Sequence, residues 1–337
     1  MTTASARGTD DELDGLIHRA DLDGLVRLVD DCCASGDWDR LRRLRDAARH
    51  AIGTGRQLWP AATLAEYRLA LLAPAPAAAG VLDEGSGRFT LGPLPEVIAQ
   101  HHTWRELAPL LEPGPRAALV AQERALRGEV IDPSSVAALP DVLALPYELA
   151  PWEPDYVVAD YHDVGAEFPS PPTPGPLVDV ALPTIAPDRL DDPSVELAVR
   201  QLVDAWTTGS NGRADVVSVD GDARAALRAL GLASARRTEL PPAEAIRWLA
   251  WAGASGGAFG RRPGAAAGRF GALWLVAALG DALDDWPLDP AELGELAGEL
   301  RWWWWDAHEP VTGWQLQLVA EAVDDGVAWA ISARDAV

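Results

Sequence analysis

The residues best placed to do chemistry fall in one stretch of the 337-residue chain, where Ser255, Gly256, Gly257, Gly260, Arg261, Arg262 and Arg269 lie between a tryptophan-rich segment and an apolar one. No acidic residue occurs between Glu244 and Asp281. At the overall frequency of 51 acids in 337 residues, about five would be expected there. A glycine-rich loop that enters a helix exposes backbone N–H groups, the helix end adds positive potential, and arginine supplies a two-pronged donor. That combination predicts a site for a small anion such as a phosphate, a nucleotide or a partner's carboxylate. The opposing reading is structural: the small residues let two helices pack closely while the arginines neutralise Asp220, Asp222 or Asp284. The glycine spacing follows a helix and not a strand, so it is not a dinucleotide fingerprint.

Three other patterns carry weaker chemistry. Gly253-Ala-Ser255-Gly-Gly257 satisfies the nucleophile-elbow string, with Asp306 and His308 downstream, which gives a serine hydrolase as a further alternative, but an elbow needs a strand before its serine and the pattern here is helical. Asp220 and Asp222 flank a glycine between a strand and a helix and offer two carboxylates to a divalent metal, with a helix cap for Asp222 as the simpler account. The six histidines, including His101-His102, show no ligand spacing, and no metal or other cofactor is expected. Eleven of the 15 tryptophans follow residue 200, four of them consecutive at 302–305. On a strand such a run puts two indoles on each face. One pair then packs under helices, and the other, Trp302 with Trp304, either stacks within the sheet or offers an aromatic platform to a sugar, a base or a peptide.

Composition narrows the choices further. All 28 basic residues are arginine, because the chain contains no lysine. A lysine Schiff base, a P-loop lysine, a kinase-type lysine and a Ser-x-x-Lys pair are therefore excluded. The formal net charge of −23 argues against nucleic acid and anionic membrane surfaces as partners. The longest apolar run, Phe270 to Leu279, is too short to span a bilayer, and Met1 to Asp11 does not read as a secretion signal, so a cytoplasmic location is expected. Cys32 and Cys33 are adjacent within a helical pattern, which favours reduced core thiols over a bridge.

These residues must be positioned by an α+β chain. Residues 1–139 predict an all-helical domain, either a bundle or a short solenoid. A segment opening at Asp21 is echoed at Asp37 and more loosely at Thr103, and the acids that open the first two are read as helix caps. Residues 140–193 contain twelve prolines and predict an irregular connection. Residues 194–337 predict an α+β domain: a strand at Asp215 to Asp220, helices around it, and a terminal antiparallel meander. The meander comprises Arg301 to Asp306, Trp314 to Ala322 and a strand from Val327, closed by an Asp325-Gly326 hairpin, with helices on one face.

The segment Trp248 to Arg269, together with Arg301-Trp-Trp-Trp-Trp-Asp and Gly313-Trp, resembles an uncharacterised family of actinobacterial cytoplasmic proteins. The resemblance implies that the glycine/arginine loop and the tryptophan strand form one module, and it implies no activity. The leading expectation is a non-enzymatic binding or scaffold protein whose helical part engages a protein partner. The rival is a nucleotide- or phosphate-binding enzyme or regulator built on loop 253–269.

Overall fold

The computed structural model describes residues 3–185, 187–310 and 312–336. The chain separates into two compact units, Met1–Pro140 with Asp160–Glu167, and Asp141–Ala159 with Phe168–Val337. The proline-rich stretch is thus shared between them.

The first unit holds helices α1 (Thr3–Arg19), α2 (Leu22–Ser35), α3 (Trp38–Gly53), α4 (Trp59–Leu72), α5 (Ala75–Ala79), α6 (Leu94–His101), α7 (Trp104–Leu107), α8 (Pro115–Leu126) and α9 (Pro133–Val136), with a hairpin of β1 (Asp160–His162) and β2 (Gly165–Glu167). The echoed acids act as read from the sequence. Asp21 accepts from the Gly24 N–H at 2.9 Å and Asp37 from the Arg40 N–H at 3.1 Å, each satisfying an orphan donor at a helix start. Thr103 and Glu106 form a reciprocal capping box at α7. Pro60 sits in the first turn of α4, where its missing N–H costs nothing. Helix α4 is buried from Ala61 to Leu71 on nearly all sides and packs against α2, α3 and α6. That places it at the centre of a bundle, whereas in a solenoid each hairpin would touch only its neighbours. Arg45 and Arg49 reach from α3 to Asp83 at 2.5 and 2.8 Å, and Glu66 of α4 accepts from the Gly87 N–H, which fixes the 83–87 loop. Cys32 and Cys33 are free thiols; burial pushes the Cys32 thiol up to about 11.

The second unit holds β3 (Val178–Val180), β4 (Arg189–Leu190), α10 (Pro193–Leu202), α11 (Asp204–Thr207), β5 (Arg213–Asp220), α12 (Ala223–Ala229), β6 (Ala235–Leu240), α13 (Pro242–Ala254), α14 (Ala265–Leu279), α15 (Pro290–Glu299), β7 (Leu300–Asp306), β8 (Trp314–Ala322) and β9 (Val327–Asp335). Its seven strands run antiparallel in the order β3-β6-β7-β8-β9-β5-β4. The expected meander is its centre; Ala322 pairs with Val327, so the turn is the four residues 323–326 and not the two residues Asp325-Gly326 alone, and Gly326 takes its left-handed position. Both edges, β3 and β4, come from the proline-rich stretch; at an edge a residue without an N–H removes no ladder bond.

Helices cover both faces of this sheet, which corrects the expectation of one covered face. Trp303 and Trp305 pack with Val217, Val219, Val319 and Ala330 beneath α12. On the opposite face Trp304 packs against Trp248 of α13, ring centroids 4.2 Å apart and planes tilted by 36°. The physical reason is the tetratryptophan run itself: it makes both faces apolar, and each then needs a cover. Among the described residues no helix is long and apolar enough to cross a membrane.

Candidate functional site

The glycine/arginine loop follows α13 and turns back into α14. Ser255 is buried, and its hydroxyl accepts from the Gly257 N–H at 3.0 Å. The next two amides point elsewhere: the Ala258 N–H donates to Asp335 Oδ2 at 2.6 Å, and the Phe259 N–H donates to Ser210 Oγ at 3.1 Å. The loop therefore does bring a backbone donor to a carboxylate, and that carboxylate is the chain's own Asp335, buried at the end of β9. Gly257 has φ +65, and a Cβ there would overlap Asp335 Oδ2, so the close approach requires glycine. Gly256 and Gly260 meet across the turn, and Gly268 lets α14 rest directly on the Ala250 carbonyl of α13.

The arginines divide among different tasks. Arg269 is only 1% exposed and is held on all sides. Its Nε and Nη2 donate to the two oxygens of Glu153, both at 2.8 Å, Nη1 donates to the Pro146 carbonyl at 2.9 Å, and Nη2 also donates to the Glu148 carbonyl at 3.0 Å. Glu153 in turn accepts from the Tyr156 hydroxyl at 2.6 Å and the Ala150 N–H at 2.8 Å. Burial, with the Glu153 charge adding to it, raises the Tyr156 phenol well above its ordinary range. Arg269 thus fastens residues 146–156 onto α14 and presents no donor face to a guest. Arg262 is half-buried with its guanidinium 3.7 Å from the centre of the Phe168 ring, and Arg261 is exposed.

The weaker patterns are also placed. The element before Ser255 is a helix, Asp306 is held by Arg236 at 2.7 and 2.9 Å, and the His308 ring lies 3.6 Å from Asp179. Among the described residues no hydrogen bond joins Ser255 to His308, so the serine-hydrolase string lacks both its strand and its triad. Asp222 caps α12 through the Arg224 and Ala225 N–H groups, both at 3.0 Å, and pairs with the Arg224 side chain. Asp220 is exposed at the end of β5. Among the described residues no cluster of three or more His, Cys, Asp or Glu side chains is arranged to hold a metal ion.

Trp302 and Trp304 share a sheet face but not a surface. Trp302 is fully buried, with its indole N–H on the Ala297 carbonyl at 3.2 Å. Trp304 forms one wall of a cavity of about 280 Å³, whose other aromatic walls are Phe168, Trp248, Trp251 and Trp314.

The first unit carries a surface feature that the sequence reading did not find. Trp59 (43% exposed), Phe89 (55%), Leu91 (47%) and Val164 (89%) gather around an open groove of about 410 Å³. The Trp59 and Phe89 rings lie 5.0 Å apart, and Tyr67 and Arg68 form part of the lining. Arg68 is bound to Asp163 at 2.5 Å and to Asp30 at 3.5 Å, both carboxylates being largely exposed at the rim. Phe89 and Leu91, apolar residues inside a Gly/Ser-rich loop, were the only sequence signal.

The model of a protein family of unknown function (DUF6183) matches residues 23–336. The chain belongs to that family. The match spans both units. No curated protein and no solved structure matches the chain.

Proposed function

We propose that this family member is a non-enzymatic binding or scaffold protein, and that its helical unit docks a partner protein in the groove around Trp59, Phe89, Leu91 and Val164. The observation that carries the reading is the gathering of four large exposed apolar side chains on one concave surface. Isolated exposed apolar residues are ordinary, whereas a contiguous concave set marks an interaction surface. The partner's chemistry follows from the rim. Asp30 and Asp163 stand at the groove in a chain whose formal net charge is −23. An apolar segment flanked by arginine or lysine is the complementary occupant, with the apolar side chains giving affinity and the charges giving orientation and speed of encounter. A cytoplasmic setting belongs to the same proposal and is supported by the two free thiols.

A display library of short peptides, selected on the wild type and counter-selected on Trp59→Ser with Phe89→Ser, tests the proposal. Enrichment of apolar sequences with basic flanks on the wild type alone is expected. Equal enrichment on both proteins would remove the groove, and enrichment of acidic peptides would overturn the assigned partner chemistry.

A further inference from the structure

The sheet of the second unit leaves one edge open. Strand β5 spans Arg213–Asp220, and β4 covers it only at Ser218 and Val219. The backbone phase of the uncovered stretch is fixed at both ends. The Gly221 N–H donates to the Gly326 carbonyl on the β9 side at 2.7 Å, whereas the Gly212 N–H turns the other way and donates to the Trp206 carbonyl at 2.9 Å. Bonding direction alternates along an antiparallel strand, so Arg213, Asp215, Val217 and Val219 bond to β9, and the backbone groups of Ala214 and Val216 face outward. Among the described residues those outward groups have no hydrogen-bond partner. Such an edge is a template for another strand, and chains usually blunt it with charged side chains, with proline or with a cover.

The side chains along the edge select the occupant. Arg213 and Asp215 project from the same sheet face, both are exposed, and neither has an ion-pair or hydrogen-bond partner among the described residues. Both border a cavity of about 550 Å³, which leaves space beside them. Within its own sheet Arg213 stands directly opposite Arg334, a like charge, and Asp215 stands opposite Ser332. An edge of one sign would repel its own copy, but here the signs alternate.

Few two-fold registers set this edge against that of a second copy. Centred on Val216, the pairing needs the Ser218 backbone, which β4 already holds. Centred on Arg213 or on Asp215, it sets like charges face to face. Centred on Ala214, it sets Arg213 of each copy opposite Asp215 of the other. The two Ala214 residues then exchange both hydrogen bonds. The two charge pairs fall at non-hydrogen-bonded positions, where Cα atoms lie about 4.5 Å apart and side chains are closest.

We infer that the protein forms a two-fold homodimer by antiparallel β5–β5 pairing centred on Ala214, which joins the sheets of two copies into one. The edge belongs to the second unit and is distinct from the groove of the first.

Sedimentation velocity on the full chain across the micromolar range tests the assignment. A monomer–dimer equilibrium is expected, and a monomer at every concentration overturns the proposal. Arg213→Asp and Asp215→Arg each set like charges opposite one another twice in the dimer, and each weakens self-association by at least about tenfold. Both positions are exposed, so both variants keep the wild-type near-ultraviolet circular dichroism. An equimolar mixture of the two variants pairs opposite charges again and associates as the wild type does. Undiminished self-association of both single variants places the contact elsewhere, and single variants that stay apart when mixed overturn the register.

Discussion

The Arg269–Glu153 pair gives the most direct test of how the second unit is held together. Both side chains are 1% exposed and joined by two bonds of 2.8 Å. Removing one member of a buried pair strands the other's charge, at a cost of about 3–5 kcal/mol. Arg269→Leu and Glu153→Leu should each lose that much stability. In the double variant no charge is stranded. What goes is the set of hydrogen bonds to the Pro146 and Glu148 carbonyls, the Tyr156 hydroxyl and the Ala150 N–H, at about 1 kcal/mol or less each. The double variant should therefore retain on the order of 3 kcal/mol more stability than the sum of the singles predicts. Urea unfolding followed by tryptophan fluorescence reads this cycle well: urea leaves ion pairs unscreened, and 11 of the 15 tryptophans lie beyond residue 200. Additive losses, with coupling under about 0.5 kcal/mol, would refute the argument and return Arg269 to the list of groups available to an external anion.

Further tests address single features. Gly257→Ala forces a Cβ against Asp335 Oδ2 at a left-handed backbone position, and should cost about 1–3 kcal/mol in the same urea assay. Asp335→Ala leaves the Ala258 N–H without its acceptor and should speed hydrogen exchange at that amide while the centre of α13 stays protected. Burial opposes ionisation at Asp83, Asp222 and Asp306. Hydrogen bonds from Ser86, Arg49 and Arg45, from Arg224 and the Ala225 N–H, and from Arg236 and the His308 N–H nevertheless hold all three carboxyls below their ordinary value of 3.8. Carboxylates depressed in the folded state contribute stability that is present above the unfolded value and lost as pH falls through the folded one. The urea midpoint should thus be level above about pH 5 and fall steeply below about pH 4, less steeply in Asp83→Asn. Burial is the main cause of the raised Cys32 and Cys33 thiols, so both should resist iodoacetamide at pH 8 in the native protein and react on unfolding.

Much of this architecture could be read locally. The Asp21 and Asp37 caps, Pro60, the β8–β9 hairpin and the strand character of residues 301–306 depend on neighbours a few residues away, and sequence displays those directly. Strand β6, Ala-Arg-Arg-Thr-Glu-Leu, was not legible, because its polar residues become a strand only between β3 and β7. The same limit governed the site. Arg269 is matched to Glu153, 116 positions upstream, and the loop amide of Ala258 to Asp335, 77 positions downstream. A glycine/arginine stretch announces that it will hold an anion, but nothing local says that the anion belongs to the same chain.

The tetratryptophan strand has one more consequence. In most strands a slip of one residue against the partner is punished at once, since apolar and polar side chains change places. At 302–305 the same slip replaces indole with indole at three of the four positions, so the run itself is nearly blind to misalignment. The Arg236–Asp306 pair stands just past the run, where β6 meets β7, at 2.7 and 2.9 Å. It serves as the index mark, the point at which the correct alignment is told from its neighbour.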